Sequence, residues 1–165
     1  MLPTPPEGLR HWRPADADAL AAAWADPDIA RWNPPPAGLD PAAWIAGVEE
    51  RWTRHLALDL VIVAPVGEHA DDVAGEVGLS SFTRAPARAE LGVWVAAAHR
   101  RRGVARRAVA TVTAWALTDL GLDQLWARTD PANGPAEALF AALGWDRLGE
   151  ADGNTIWSAT PVVLR

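Results

Sequence analysis

Apolar residues recur along the chain with two different periods, and each change of period marks an element. A short mixed stretch at 9–13 predicts a strand, which Pro14 ends. Asp16 or Asp18 then offers a cap for a helix over 19–25. Asp26-Pro27-Asp28 is a turn signal, 29–32 a short helical turn or loop, and Asn33-Pro34-Pro35-Pro36 with Gly38 a stiff connector. Asp40-Pro41 starts a second helix, with Asp as cap and Pro at the first helical position. Trp44, Ile45, Val48 and Trp52 carry its apolar stripe through 42–55.

The pattern then shortens to strand length. Residues 58–63 form an apolar run of strand length, 66–72 an acidic turn, and 73–81 and 89–95 two further strands around a turn at 83–88 that holds Pro86. A long helix follows over 103–120, where Val104, Ala108, Val112, Trp115 and Ala116 fall at helical spacing and Gly121 ends the run. A strand at 125–129 and a helix at 135–143 come next, the helix closed by Gly144. A hairpin of 145–150 and 154–160 turns at Asp152-Gly153. The order is β α α β β β α β α β β, which implies an α/β (α+β) fold with a mixed sheet covered by helices on both faces. Residues 1–8 read as a flexible lead-in and 9–165 as one domain, a size that 165 residues suit.

Composition removes whole classes of chemistry. The chain has no Cys, no Lys and no Tyr, and all 15 of its basic residues are Arg. Thiol nucleophiles, Cys-held zinc, Walker-type phosphate loops and pyridoxal Schiff bases are therefore excluded. His11, His55, His69 and His99 lack metal-ligand spacing, so no metal is expected. Ser80, Ser81 and Ser158 stand outside any G-x-S-x-G. No apolar run approaches membrane-spanning length, and residues 1–7 are proline-rich without a signal layout. No membrane partner is expected, and a cytoplasmic location is the default. The formal net charge of −6 argues against a general nucleic-acid binder.

One segment stands out against that acidic background. Five arginines lie within 100–107, in a loop that links the strand at 89–95 to the long helix. The first helical turn exposes backbone N–H groups without intrahelical partners, and the helix dipole adds partial positive charge. Gly103 lets a ligand approach the backbone closely, and the arginines add charge-assisted contacts. The arrangement suits a pyrophosphate. A solvated, arginine-rich helix start is the plainer alternative.

Arg100-Arg101-Arg102-Gly103-Val104-Ala105 resembles the R/Q-x-x-G-x-G/A pyrophosphate motif of the GNAT superfamily of N-acetyltransferases. Residues 89–95, A-E-L-G-V-W-V, are similar to that family's fourth strand. Residues 130–136 with 139–145 are similar to its downstream N-x-x-S signature, although Ala136 and Trp145 replace the usual Ser and Phe. Residues 9–18, L-R-H-W-R-P-A-D-A-D, resemble the opening of the RimJ/RimL-like branch, which acetylates ribosomal-protein N-termini. The resemblance covers nearly the whole chain from Leu9. It implies a single-domain fold with a mostly antiparallel sheet of about seven strands, and acetyl-CoA as co-substrate. It also implies a primary amine acceptor, either a protein N-terminus or a small molecule, and it allows a homodimer.

Carried onto this chain, the resemblance assigns residues to roles. The strand at 91–95 would splay from its neighbour at a bulge, and Val93 and Val95 would pair with the pantetheine arm. Amides of Arg101, Arg102, Gly103, Val104, Ala105 and Arg106, with Arg100 beside them, would hold the pyrophosphate. Asn133 would contact the cofactor arm, and Phe140 would pack near the thioester. Many members carry Tyr where this chain has Phe140, and Phe has no proton to give the leaving thiolate.

Direct attack by an amine on a thioester asks for alignment, a polarised carbonyl and a base. Glu90 is the first candidate base, since period-two alternation puts it on one face with Gly92 and Trp94. Glu76 on the preceding strand is the second. Trp24, Trp32, Trp44 and Trp52 cluster where the family builds one wall of its acceptor site. Trp32, Trp44, Trp94 and Glu76 are the expected acceptor contacts, with core packing as the competing role for each tryptophan. Trp115, Trp126 and Trp157 read as core. Two other readings use the same residues: a non-catalytic acyl-CoA sensor, and a nucleic-acid binder acting through the arginines.

Overall fold

The two periods of the sequence resolve into one seven-stranded sheet with a helical layer on each face. The protein is described by a computed structural model over residues 1–65 and 71–161. Its strands are β1 (Leu9–His11), β2 (Ala57–Val63), β3 (Val73–Arg84), β4 (Ala87–Val95), β5 (Gln124–Thr129), β6 (Asp146–Ala151) and β7 (Asn154–Ala159). They lie in the order β1-β2-β3-β4-β5-β7-β6, antiparallel throughout except for β4 and β5. The helices are α1 (Ala17–Ala25), α2 (Pro27–Trp32), α3 (Pro41–Ala46), α4 (Val48–Thr53), α5 (Val104–Thr118) and α6 (Gly134–Ala142). The expected fold class is that observed; four α-helices separate β1 from β2 where two were expected, and from β2 onward the element order is as expected. Of the acidic turn expected at 66–72, only Asp71 and Asp72 are among the described residues.

Two expectations need correction, and the contacts of residues 1–8 add a third observation. The helix expected over 42–55 is two short helices that meet at Gly47. The Arg51 guanidinium donates to the Trp44 carbonyl at 2.9 Å, directly over this junction. A Cβ at position 47 would sit 3.0 Å from Arg51 Nη1, so the junction suits a residue without one. Asp16 does not cap α1 with its side chain. Residues 1–8 lie against the body: Leu2 packs on both apolar clusters, and Trp52 Nε1 donates to the Met1 carbonyl at 3.1 Å.

The core has two halves, one on each face of the sheet. Leu58, Leu60, Ile62, Val77, Leu79, Ala89 and Leu91 meet Val104, Ala108, Val109, Val112 and Ala116 of α5 in the larger half. Phe140, Trp145 and Trp157 complete it, with Phe140 edge-on to Trp145 at 4.9 Å. On the opposite face Val61 and Trp94 pack with Trp12, Leu20, Ala23, Ile29, Ile45 and Val48. Each large aliphatic side chain so buried contributes about 1.5–3 kcal/mol.

Asp16 ties the first strand to this second layer. Arg10 donates to both its oxygens, at 2.7 and 2.9 Å, and the Arg13 backbone N–H donates at 2.8 Å. Burial pushes the Asp16 carboxyl up, but the Arg10 hydrogen bonds, the Arg13 amide and both guanidinium charges outweigh it, leaving it below the usual range. The unfolded chain therefore binds this proton more tightly than the folded one. The resulting stability is complete above the ordinary carboxylate range and fades as pH falls through the lowered value. Asp16→Asn should cost about 2–4 kcal/mol in urea denaturation at pH 7, and the gap to the parent protein should close under strongly acidic conditions.

Candidate functional site

β4 and β5 pair over only three positions, Arg88↔Gln124, Ala89↔Leu125 and Glu90↔Trp126. Beyond Glu90, β4 stays with β3 as far as Gly75↔Val95, while β5 stays with β7 as far as Thr129↔Thr155. The two strands therefore part in the middle of the sheet, as the resemblance implied. The bulge expected in β4 is absent. Its register with β3 is unbroken from Glu90 to Val95, and the irregularity lies in β3 between Ser80 and Thr83, where Ser81 has φ 53°. The β4 residues that part from β5 carry no inserted residue of their own; the extra residue lies in β3, opposite the point of parting.

Two cavities open at this parting and share Asn33, Pro34, Gly92 and Val93. The larger, about 540 Å³, runs along the gap between Leu91–Val93 and Thr129–Asn133, with Phe140, Ala136, Trp32 and Glu90 on its walls. It brings together four residues assigned to the cofactor or the chemistry: Glu90, Val93, Asn133 and Phe140. Asn133 caps α6, its Oδ1 accepting from the Ala136 N–H at 3.3 Å. Arg31 lies over the Trp32 ring at 4.4 Å.

The smaller cavity, about 240 Å³, lies under α1 and α3 against β2–β4. Trp24, Trp44, Trp94 and residues 34–36 form its walls, with Asp59 and Glu76 set among them. Gly78 and Gly92 face each other across β3 and β4, so no side chain stands between the two cavities there. Trp12 lies behind the wall, edge-on to Trp44 at 5.7 Å and 6.4 Å from Trp94. Trp52 does not join this group and packs on Phe82 instead. Trp126 is half-buried beneath Arg128, while Trp115 and Trp157 are core as expected.

The carboxylates differ sharply in their surroundings. Glu90 is held by Arg128, whose Nε and Nη2 donate at 2.9 and 3.3 Å, and Ser81 Oγ donates at 3.3 Å. Among the described residues, Glu76 forms no ion pair. Trp12 Nε1 donates to its Oε2 at 2.9 Å and Trp94 Nε1 to its Oε1 at 3.2 Å. Burial, and then the negative charge of Asp59, push the Glu76 carboxyl up to about 8, against the pull of the two indoles and Arg51. Asp59 is raised by burial as well, opposed by Arg51 at 3.1 Å.

The arginine-rich loop lies past the end of β4, and neither Val95 nor residues 100–106 line either cavity. Gly103 has φ 70° and Arg101 φ 59°, a left-handed corner that turns the chain into α5. The Arg107 N–H bonds back to the Gly103 carbonyl, leaving the amides of Val104, Ala105 and Arg106 at the open end of the helix. The donor set fits a pyrophosphate. Arg100 serves another purpose: its guanidinium holds Asp26 at 2.7 Å and Asp28 at 3.2 Å, and its Nε donates to the Val95 carbonyl.

The sequence reading missed Trp12 and Asp59 as parts of the site. Asp59 carried a signal, since it is the one acid within an otherwise apolar strand. Trp12 carried none, because its partner Glu76 lies 64 positions away.

A splayed β4–β5 pair beside an open helix N-terminus agrees with the comparisons. The model of the acetyltransferase (GNAT) domain family matches residues 8–146. An uncharacterized N-acetyltransferase, p20, of Bacillus licheniformis is 25% identical over 149 residues, covering 86% of this chain and 79% of its own length. The ribosomal-protein-S5-alanine acetyltransferase of Vibrio fischeri superposes with a TM-score of 0.79 at 24% identity, covering 95% of this chain and 94% of that one. RimJ of Mycobacterium smegmatis, solved with CoA-disulfide, gives a TM-score of 0.75 at 25% identity over 94% of this chain and 82% of that one. With the family match spanning most of its length and the family's characteristic gap in its sheet, the chain belongs to the GNAT acetyltransferases and is an N-acetyltransferase.

Proposed function

We propose that the chain transfers the acetyl group of acetyl-CoA to a primary amine by direct attack, the two partners meeting where the cavities join. The observation that carries this reading is the shared lining of Asn33, Pro34, Gly92 and Val93, which brings both cavities to the same stretch of β4. Acetyl-CoA supplies an acyl group already activated toward amines. In this reading the edge of β4 at Val93 and Val95 aligns the pantetheine arm through backbone hydrogen bonds, the Val95 carbonyl being shared with Arg100 Nε. Amides at 101–106 hold the pyrophosphate, with Arg101, Arg102 and Arg106 beside them. Asn133 and Phe140 border the arm, and Trp32 closes the same cavity. Arg100 positions the loop through Asp26 and Asp28.

Backbone N–H groups along β4 are suited to polarising the thioester carbonyl. Glu90 borders the cofactor cavity and sets its charge together with Arg128. The acceptor is a peptide α-amine or a small-molecule amine, and the likeness to RimJ supports the peptide. A non-catalytic acyl-CoA sensor would share the first cavity but would have no use for a second, carboxyl-bearing one that joins it.

Calorimetric titration should show one acetyl-CoA per chain, with a Kd on the order of 1–100 μM. Gly103→Glu, which strains a left-handed corner and sets a negative charge among the amides, should weaken binding by at least about tenfold. No binding by the parent protein at millimolar acetyl-CoA would remove both the enzyme and the sensor readings. Gly92→Val places its side chain in open space, since nothing lies within 4 Å of a Cβ there. Its Tm should stay within about 3 °C, while amine-dependent release of CoA thiol falls about 100-fold through blocked alignment.

A further inference from the structure

We propose that Glu76 is the base that takes the acceptor's proton, and that the acceptor is an amine presenting a single cation on a compact apolar stem. The inference rests on the acetyltransferase reading above and deepens it by naming the proton acceptor and the class of amine.

The geometry of the smaller cavity carries it. Glu76 lines the cavity, and each of its oxygens accepts one indole N–H, from Trp12 and from Trp94. An ionised carboxylate has about four acceptor sites, so each oxygen keeps one free. Both donors are neutral, so they fix the carboxyl without cancelling its charge. The charged groups acting on it are Asp59 of β2 and Arg51 of α4, and those two are paired with each other at 3.1 Å. When Glu76 is ionised, the cavity therefore holds one uncompensated negative charge, enough for one ammonium. A second cation would find no free anion on the lining, which has only Asp59 and Glu76 as charged residues.

The walls set the rest of the acceptor. Trp24, Trp44, Trp94 and Pro34–Pro36 offer apolar and aromatic surface, which favours a cation beside ring faces and an apolar stem behind it. At about 240 Å³ the space is below the usual range for a drug-sized ligand. Both a small monoamine and the first residue of a peptide chain meet these limits.

The proton balance is complete. An ammonium entering the cavity passes one proton to the ionised Glu76, which frees the nitrogen lone pair. That pair forms the C–N bond to the acetyl carbon as the C–S bond breaks. The second nitrogen proton ends on the departing thiolate, and Glu76 returns its own to water. A carboxyl whose midpoint lies near 8 is well matched to this work around neutrality.

The test compares 2-phenylethylamine, an alanine-led tetrapeptide amide and spermidine, following CoA thiol release across pH. With the parent protein, kcat/KM for the first two should rise through an inflection near 8 that keeps its place when the amine's own basicity changes. Spermidine should be poorer by at least about tenfold. Glu76→Gln should lower kcat by about 100-fold or more and remove the inflection, while calorimetric acetyl-CoA affinity stays within about twofold. Trp94→Phe removes one donor to the carboxylate, so its inflection should move to higher pH.

A stability readout locates the ionisation without any turnover. The folded protein holds the Glu76 proton more tightly than the unfolded chain, so stability falls as pH climbs from the ordinary value of 4.5 toward 8, and Glu76→Gln should flatten that fall. An unchanged inflection and kcat in Glu76→Gln would overturn the assignment of the base and leave the acetyltransferase reading standing. Preference for spermidine would overturn the single-cation class. Acetyl-CoA binding with no thiol release from any of the three amines would overturn both this inference and the acetyltransferase reading.

Discussion

The site depends on a strand that has lost one neighbour inside the sheet. Interior strands normally satisfy both edges of their backbone, and an open edge is costly when buried and hazardous when exposed. Beyond Glu90, β4 keeps only β3, because β5 follows β7 away from it. Everything nearby serves the opening so formed. The paired glycines at 78 and 92 clear its floor, Asn33 and Pro34 border both cavities, and α6 begins just past the end of β5. A fully zipped sheet of the same composition would have no room for an acyl group and no free backbone to orient one.

Arginine is the chain's only basic residue type apart from histidine, and its planar fork is used as a structural tool. Arg10 grips Asp16 with two nitrogens, Arg51 spans Asp59 and the Trp44 carbonyl, Arg128 grips Glu90, and Arg100 spans Asp26 and Asp28. Arg10, Arg51 and Arg100 join elements that have no hydrogen-bond ladder between them, and Arg128 reinforces β4 and β5 where their short ladder ends. The arginine run after β4 thus has two kinds of member. Arg100 is consumed in holding the loop to the start of α2, whereas Arg101 and Arg102 stand exposed.

Most of the fold was legible because its signals are local. Strand lengths, Pro and Asp at helix starts, and glycines at helix ends all act over a few residues, and the element order follows from them. The split at Gly47 was not legible, since the cause is a guanidinium returning from Arg51 to cover the turn. The site was legible in part for the same reason. Loop 100–106, Asn133 and Phe140 belong to contiguous motifs. The surroundings of Glu76 were not legible because distant partners set them: Trp12 from the first strand's end, Asp59 from β2 and Trp94 from β4. Glu90 was placed by alternation, and alternation says nothing of an Arg128 that lies 38 positions away.

The two indoles that hold Glu76 have a consequence for the timing of disorder. A free glutamate side chain samples many rotamers, and fixing it carries an entropic cost. Here that cost falls on folding, because Trp12 and Trp94 belong to the apolar cluster that builds the second layer. The carboxyl is already fixed at the cavity wall before anything binds there, and little reorganisation of it remains. Folding of the hydrophobic layer and alignment of the polar group are thereby one event.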